Sequence, residues 1–333
     1  MKYLARYIKK LFIIQVLLLL SVMASAQDRA AWMPKAKWGI MVHYLADWIS
    51  RSNNMEMSPD QWNKLVNQFN VEALADQVKS TRAGYMIFTI GQNSGYYLSP
   101  NKTYERLTGI KDHLSRRDLV ADLSAALQKR GIKLIVYLPS GAPGQDSVAK
   151  KALDYKNGPY PNKEFQQKWE RVIKEWSLRW GKNVVGWWFD GCYWPSIMYR
   201  SEKAPNFGSF AAAARAGNRQ SVVTFNPGVV YRLISMTPHE DYTGGETADP
   251  SKMDIKRQYD GKVDGRQIHI LSYIGEKWGM GQPRFTSEQL LGWSKQVAEI
   301  GGVITWDVPV QPSGLIAAPF MEQLSSVGKS FGN

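Results

Sequence analysis

The sequence predicts an α/β fold built as one (β/α)8 barrel of the TIM type, and three observations carry that expectation. Short apolar runs alternate with amphipathic segments, about eight of the runs read as strands, and no repeat, low-complexity stretch or Pro/Ser-rich linker divides residues 27–333. Strands buried on both faces and alternating with helices form parallel sheets, and eight of them close into a barrel. A length of 333 residues suits such a barrel as a single unit. An open doubly wound sheet is the competing arrangement, yet no Gly-rich phosphate loop follows any of the runs.

The elements follow in order. Trp38–Tyr44 (WGIMVHY) reads as the first strand. Ser58-Pro59-Asp60-Gln61 starts a helix reaching about Lys79, with Ser58 as cap, Pro59 in the first helical position and Gln61 set for a capping box. Tyr85–Ile90 is the second strand, and Asp118–Arg130 carries apolar residues at helical spacing before Gly131 stops it. Ile132–Leu138 is the third strand, Phe165–Trp180 a helix, and Val184–Phe189 the fourth strand. A weaker helix over Asn206–Ala216 leads to a fifth strand, Ser221–Phe225. A sixth is expected around Asp241–Gly245 and a seventh at Ile268–Ile274. Thr286-x-x-Gln289 opens a helix to Ile300, and Val303–Val308 closes the series.

Composition narrows the class. With 44% hydrophobic and 21% charged residues the chain buries a sizeable core, which excludes disordered and collagen-like structure. One cysteine, Cys192, excludes a disulfide scaffold and a cysteine-rich zinc module. The formal charge of +13 invites a nucleic-acid reading, but part of it belongs to the N-terminus. Lys2, Arg6, Lys9 and Lys10 precede an apolar run, Leu11–Leu20, and Ser21–Ala26 ends in the small-x-small pattern of a cleavage site. The run is shorter than the ~20 residues of a membrane span, so residues 1–26 are expected to be a signal peptide cleaved before Gln27. No cysteine follows the run to carry a lipid anchor.

Residues 27–333 then form the catalytic domain, with 38 Lys+Arg against 29 Asp+Glu, a net +9. These basic residues are scattered, with no run of five and no interleaved aromatic platform, so no nucleic-acid partner is expected. An exported, periplasmic or secreted protein without stable membrane insertion follows. Cys192 is expected to be a buried thiol.

A barrel carries its site at the carboxyl ends of its strands. Those ends read His43-Tyr44, Gln92-Asn93, Tyr137 with Ser140, Asp190, Asn226, Glu246, Trp278 and Asp307. There is no His-x-His pattern for a metal hydrolase and no Gly-x-Ser-x-Gly elbow for a serine hydrolase. No metal and no cofactor is expected. Carboxylates and aromatics remain, the combination that glycoside hydrolysis uses: carboxylates to attack and to protonate, and flat rings to stack on sugars. Asp190 is the sharpest position, because Trp187-Trp188-Phe189-Asp190-Gly191 sets a carboxylate after a very apolar strand, where leaving a charge is costly. Trp48, Trp187, Trp194 and Trp278 are candidates for a stacking wall.

Four segments resemble glycoside hydrolase family 29, the retaining α-L-fucosidases. Lys35–Tyr44 (KAKWGIMVHY) is similar to that family's K-F-G-I-F-I-H-W, whose histidine contacts the sugar. Trp188-Phe189-Asp190-Gly191 matches its W-F-D-G, where the aspartate is the nucleophile. Asp241–Glu246 (DYTGGE) resembles a D-Y/F-x-T-P-E-like segment whose glutamate can be the acid/base. Gly301–Pro309 with Ser313-Gly314 resembles the last strand, G-G-N-L-L-L-N-I-G-P…D-G.

Three departures accompany the likeness. The family's K-H-H-D-G-F, which holds sugar hydroxyls, is replaced by Gly91-Gln92-Asn93-Ser94-Gly95-Tyr96; Asp307 stands for an asparagine; and no C-terminal β-sandwich is expected after Val308. The resemblance implies an exo-acting retaining glycosidase that releases a terminal deoxy or related sugar from an oligosaccharide or glycoconjugate. Asp190 is its nucleophile and Glu246 its acid/base, with Glu276 and Glu240 as alternatives. His43, Tyr44, Gln92, Asn93, Tyr137, Asn226, Trp187, Trp278 and Asp307 are its substrate contacts. An inactive carbohydrate-binding protein on the same scaffold is the alternative function, favoured by the altered histidine segment, and a barrel acting on non-sugar substrates is a third.

Overall fold

The computed structural model describes residues 28–195, 199–255 and 260–331. The expected signal segment, 1–26, lies outside them. Seven parallel strands form the main sheet: β1 (Trp38–Val42), β2 (Tyr85–Thr89), β3 (Lys133–Pro139), β4 (Gly186–Asp190), β5 (Val222–Phe225), β8 (His269–Tyr273) and β9 (Val303–Asp307). β6 (Lys262–Val263) and β7 (Arg266–Gln267) make a separate small hairpin. The order across the sheet is β5-β4-β3-β2-β1-β9-β8.

The sheet curls strongly. Asp190 at the end of β4 and Leu271 on β8 line one small pocket, although five strand spacings separate those strands in the sheet order. Laid flat, they would stand roughly 24 Å apart at ~4.8 Å per spacing. Side chains alternate accordingly. Met41, Ile87, Ile135, Tyr137, Trp188 and Val303 pack together on the concave side, while Ile40, Phe88, Val136, Trp187, Phe189 and Trp306 pack outward into the larger core formed with the helices.

Helix starts follow the expected chemistry. The side chain of Ser58 accepts a hydrogen bond from the Gln61 N–H, Asp118 from Ala121, and Asn206 and Thr286 form full capping boxes with Ser209 and Gln289. The helix expected from Ser58 to Lys79 is two, Pro59–Gln68 and Val71–Ser80. Asn70 caps the second of these through the Ala73 N–H, a local alternative to continuing the first. Helices at Ala46–Asn53, Lys102–Thr108, Ser147–Ala152 and Ala318–Phe331 went unpredicted.

The expected eight-stranded closed barrel is corrected to a seven-stranded half-barrel at one place. Residues 241–247, which include the sixth strand expected around Asp241–Gly245, lie between β5 and β8 without joining a regular ladder. Two isolated parallel bridges, Tyr242 to Gln267 and Glu246 to Leu271, tie the segment to β7 and β8. Toward β5, the Asp241 N–H donates to the Val223 carbonyl, and the Val223 N–H donates to the Asp241 carboxylate instead of a backbone oxygen. Gly245 then takes a left-handed φ of +63°, and a Cβ there would stand 1.9 Å from the His269 carbonyl oxygen. A side chain in the ladder and a left-handed residue together break the extended repeat. They also aim the next residue, Glu246, into the concave side.

Candidate active site

The carboxyl ends of the strands converge on a pocket with about 310 Å³ of empty space. Asp190 ends β4 and is held from three directions. Its Oδ2 accepts a hydrogen bond from the Tyr137 hydroxyl at 2.7 Å; its Oδ1 accepts from the Asn226 Nδ2 at 2.9 Å and from the Gly191 N–H at 2.8 Å. Gly191 can donate back to the preceding side chain because its φ is +75°, a conformation that costs glycine little. Burial first, and the Asp190 charge second, push the Tyr137 phenol well above its usual range, so the hydroxyl stays a neutral donor.

Glu246 stands on the far side of Asn226. The same Asn226 Nδ2 donates to Glu246 Oε2 at 2.6 Å. The two bonded oxygens, Asp190 Oδ1 and Glu246 Oε2, are therefore no more than about 5.5 Å apart, so the two carboxylates flank one small space. Asn226 is fully buried, so the bridge is fixed. The carboxyl of Glu246 is raised to about 7. Burial is the largest cause and the negative charge of Asp190 the next, opposed by the Asn226 hydrogen bond and by His43.

His43, just past β1, lines the same pocket between three aromatic rings. The centroid of Trp48 is 4.7 Å from it, that of Tyr137 5.4 Å and that of Trp278 5.9 Å. Its Nδ1 is 2.6 Å from Asp307 Oδ1, and Asp307 Oδ2 accepts from the Gly279 N–H at 2.6 Å. Asp307 therefore fixes the imidazole and ties the loop after β8 to it.

Eight of the sequence candidates are brought together: Asp190, Glu246, His43, Gln92, Tyr137, Asn226, Trp48 and Trp278. The others lie elsewhere. Trp187 is corrected: its ring points outward and packs against Trp180 and Phe189. Tyr44 is corrected in the same way, packing against Trp62 and Phe69 and donating its hydroxyl hydrogen bond to the Pro312 carbonyl. Asp307, expected to touch substrate, is fully buried behind His43. Asn93 and Trp194 line an adjoining cleft rather than the pocket.

Of the alternative acids, Glu276 is exposed in a second cleft. Glu240 is buried and accepts hydrogen bonds from the Met236 and Phe225 N–H groups. Cys192 is buried, its thiol pushed far up by desolvation. Among the described residues no group of three or more His, Cys, Asp or Glu side chains is placed to hold a metal ion. No helix among them is long and apolar enough to cross a membrane.

Sequence reasoning missed Trp188, Met41 and Leu271, which line the pocket. The signal was available for two of them. If Asp190 and His43 face inward, alternation by two puts Trp188 and Met41 on the same face, and Trp187 and Tyr44 on the other.

Residues 22–331 match a family model described as Alpha-L-fucosidase. The chain matches none of the curated proteins. Among solved structures it is similar to the endo-fucoidan hydrolase P5AFcnA of glycoside hydrolase family 107, at 16% identity and a TM-score of 0.71, covering 92% of this chain and 94% of that one. It is also similar to the endo-fucoidan hydrolase MfFcnA4 of the same family, at 19% identity and a TM-score of 0.69, covering 91% and 53%. The alpha-L-fucosidase AlfC from Lactobacillus casei, in complex with its alpha-L-fucose product, shares 14% identity at a TM-score of 0.65, covering 91% and 98%. At these identities the likenesses speak for a shared fold.

Proposed function

The chain belongs to the alpha-L-fucosidase family and is a glycoside hydrolase, and from that premise we propose that it cleaves its glycoside with retention, Asp190 acting as nucleophile and Glu246 as acid/base. The observation that carries this reading is the single Asn226 nitrogen bonded to both carboxylates, which brings one oxygen of each within about 5.5 Å of the other, close enough for a nucleophile and an acid/base on one anomeric centre. In the first step an Asp190 oxygen bonds the anomeric carbon as the glycosidic C–O bond breaks. The Glu246 proton goes to the departing oxygen. In the second, Glu246 takes a proton from water, the water oxygen displaces Asp190, and the sugar leaves with its starting configuration.

The other pocket residues have roles suited to this. Tyr137, Asn226 and the Gly191 N–H orient the nucleophile, and His43 and Gln92 offer polar atoms to sugar hydroxyls. Met41, Leu271 and Trp188 give an apolar wall beside the carboxylates, suited to the methyl group of a 6-deoxy sugar such as L-fucose. A panel of aryl glycosides, α-L-fucoside, β-D-galactoside and α-L-arabinopyranoside, tests the sugar. Hydrolysis confined to the fucoside with retained configuration is expected, and binding without turnover of any would favour the carbohydrate-binding alternative.

The first step needs Glu246 protonated. Its carboxyl titrates at about 7 rather than near 4.5, so the acid form persists to neutral pH. The rate on a substrate with a poor leaving group is therefore expected to fall as pH rises through about 7. A pH–rate profile that stays flat well above that point contradicts the assignment.

The basic, apolar and small-residue order of residues 1–26 supports export, with the mature chain starting at Gln27. The mass of the protein recovered from outside the cytoplasm checks it; an intact Met1 there would refute cleavage.

A further inference from the structure

Tyr193 lies three residues beyond Asp190, on the loop after β4, and is 56% exposed. Single exposed rings are ordinary on a protein surface. This one is set apart by its neighbours. Its ring packs against Gly228, where a Cβ would stand 2.9 Å from the ring Cε1 and 3.2 Å from Cδ1, so a glycine there leaves the ring its place. Two residues further on, the Val230 N–H donates to the Glu246 carbonyl at 3.4 Å. Tyr193 is thus tied by its own chain to Asp190 and, through the loop it packs on, to Glu246. The negative charge of Asp190 first, burial second and the charge of Glu246 third hold its phenol above the usual range, so the hydroxyl stays protonated with both carboxylates close to it.

The ring lines the cleft over the ends of β2 to β4, which meets the pocket at Trp48, Gln92 and Asp190. The cleft has about 1190 Å³ of empty space against about 310 Å³ in the pocket, room for the part of a substrate that the pocket does not enclose. Met41, Leu271 and Trp188 wall the pocket beside the carboxylates. In the proposed reaction Glu246 gives its proton to the departing oxygen, so whatever that oxygen carries passes Glu246 on its way out. An aromatic ring beside Glu246 at the mouth is placed to meet the first ring beyond the scissile bond.

We propose that Tyr193 is the platform for the leaving group: its ring stacks on the first sugar beyond the scissile bond and makes the protein select a sugar over a small leaving group. This rests on the retaining glycosidase reading and names the residue that recognises the departing half of the substrate. The ring carries the contact by covering a sugar face, surface that otherwise stands in water.

The test compares the full-length wild type, Tyr193→Ala and Tyr193→Phe on two substrates, α-L-fucosyl fluoride, whose leaving group has no ring to stack, and an α-L-fucosyl disaccharide. Tyr193→Ala is expected to lower kcat/KM on the disaccharide about tenfold relative to the fluoride, with most of the loss in KM. Tyr193→Phe keeps the ring and is expected to stay within about threefold of wild type on both. An unchanged ratio of the two substrates in Tyr193→Ala overturns the platform, and a loss in Tyr193→Phe equal to that in Tyr193→Ala overturns stacking by the ring. Wild-type turnover of the fluoride alone overturns a sugar leaving group and leaves the hydrolase reading standing. Turnover of neither substrate by the wild type overturns the fucoside reading on which the platform rests.

Discussion

Asp190→Asn is expected to reduce hydrolysis by about 10⁴-fold or more while leaving the fold in place, because removing a covalent nucleophile removes the pathway rather than a share of its binding energy. The amide keeps the volume of the carboxyl at the end of β4. It cannot attack the anomeric carbon, and it sets an NH₂ in place of one acceptor oxygen, facing the donor Tyr137 at the Oδ2 position or the donors Asn226 and Gly191 N–H at the Oδ1 position. Some stability is therefore lost with the activity, and a thermal melt separates the two. Steady-state rates on the aryl fucoside measure the effect. A variant that retains more than a tenth of the wild-type rate would remove Asp190 from the mechanism.

Glu246→Ala is expected to behave differently, and the difference identifies its role. Loss of a general acid costs about 10²- to 10⁴-fold on substrates whose leaving group needs a proton. A nitrophenolate leaves without one, so the first step on such a substrate is largely spared and the second step, now without a base, limits turnover. Azide needs no base to attack the glycosyl-enzyme and should restore the rate, giving a glycosyl azide of retained configuration. Glu276→Ala and Glu240→Ala serve as controls: the first residue is exposed in an outer cleft and the second is held by the backbone around Met236 and Phe225. Wild-type behaviour of Glu246→Ala on natural glycosides, or azide rescue of Glu276→Ala instead, would move the acid/base elsewhere.

The strand positions were legible in the sequence because buried parallel strands are continuous apolar runs. The same property hid which side of each strand faces inward. Trp187 and Trp188 are equally apolar and adjacent, yet one packs against Trp180 in the outer core and the other lines the pocket. Only the demand that Asp190 face the pocket distinguishes them. The segment around Asp241–Gly245 does not form the expected strand for another reason: it meets β5 through its own side chain, the Asp241 carboxylate accepting from the Val223 N–H, which no apolar pattern reports. Asp307 was picked out because it ends a strand, but the imidazole it holds comes from a residue 264 positions away, and such pairing is visible only in three dimensions. The bridging role of Asn226 is of the same kind. Its place at a strand end marked it as polar and near the site, while its two carboxylate partners come from β4 and from the irregular segment after β5.

The central claim is that Asp190 becomes covalently bonded to the sugar with Glu246 beside it. It is tested most directly by incubating the protein with a 2-deoxy-2-fluoro-α-L-fucosyl donor bearing a good leaving group, then digesting it and mapping the modified peptide by mass spectrometry. A single fluorosugar on the peptide containing Trp188-Phe189-Asp190-Gly191, attached at Asp190, is the predicted result. A label on another carboxylate would contradict the assignment. Turnover of a non-fluorinated aryl fucoside with inverted product configuration and no adduct at all would contradict the double displacement itself.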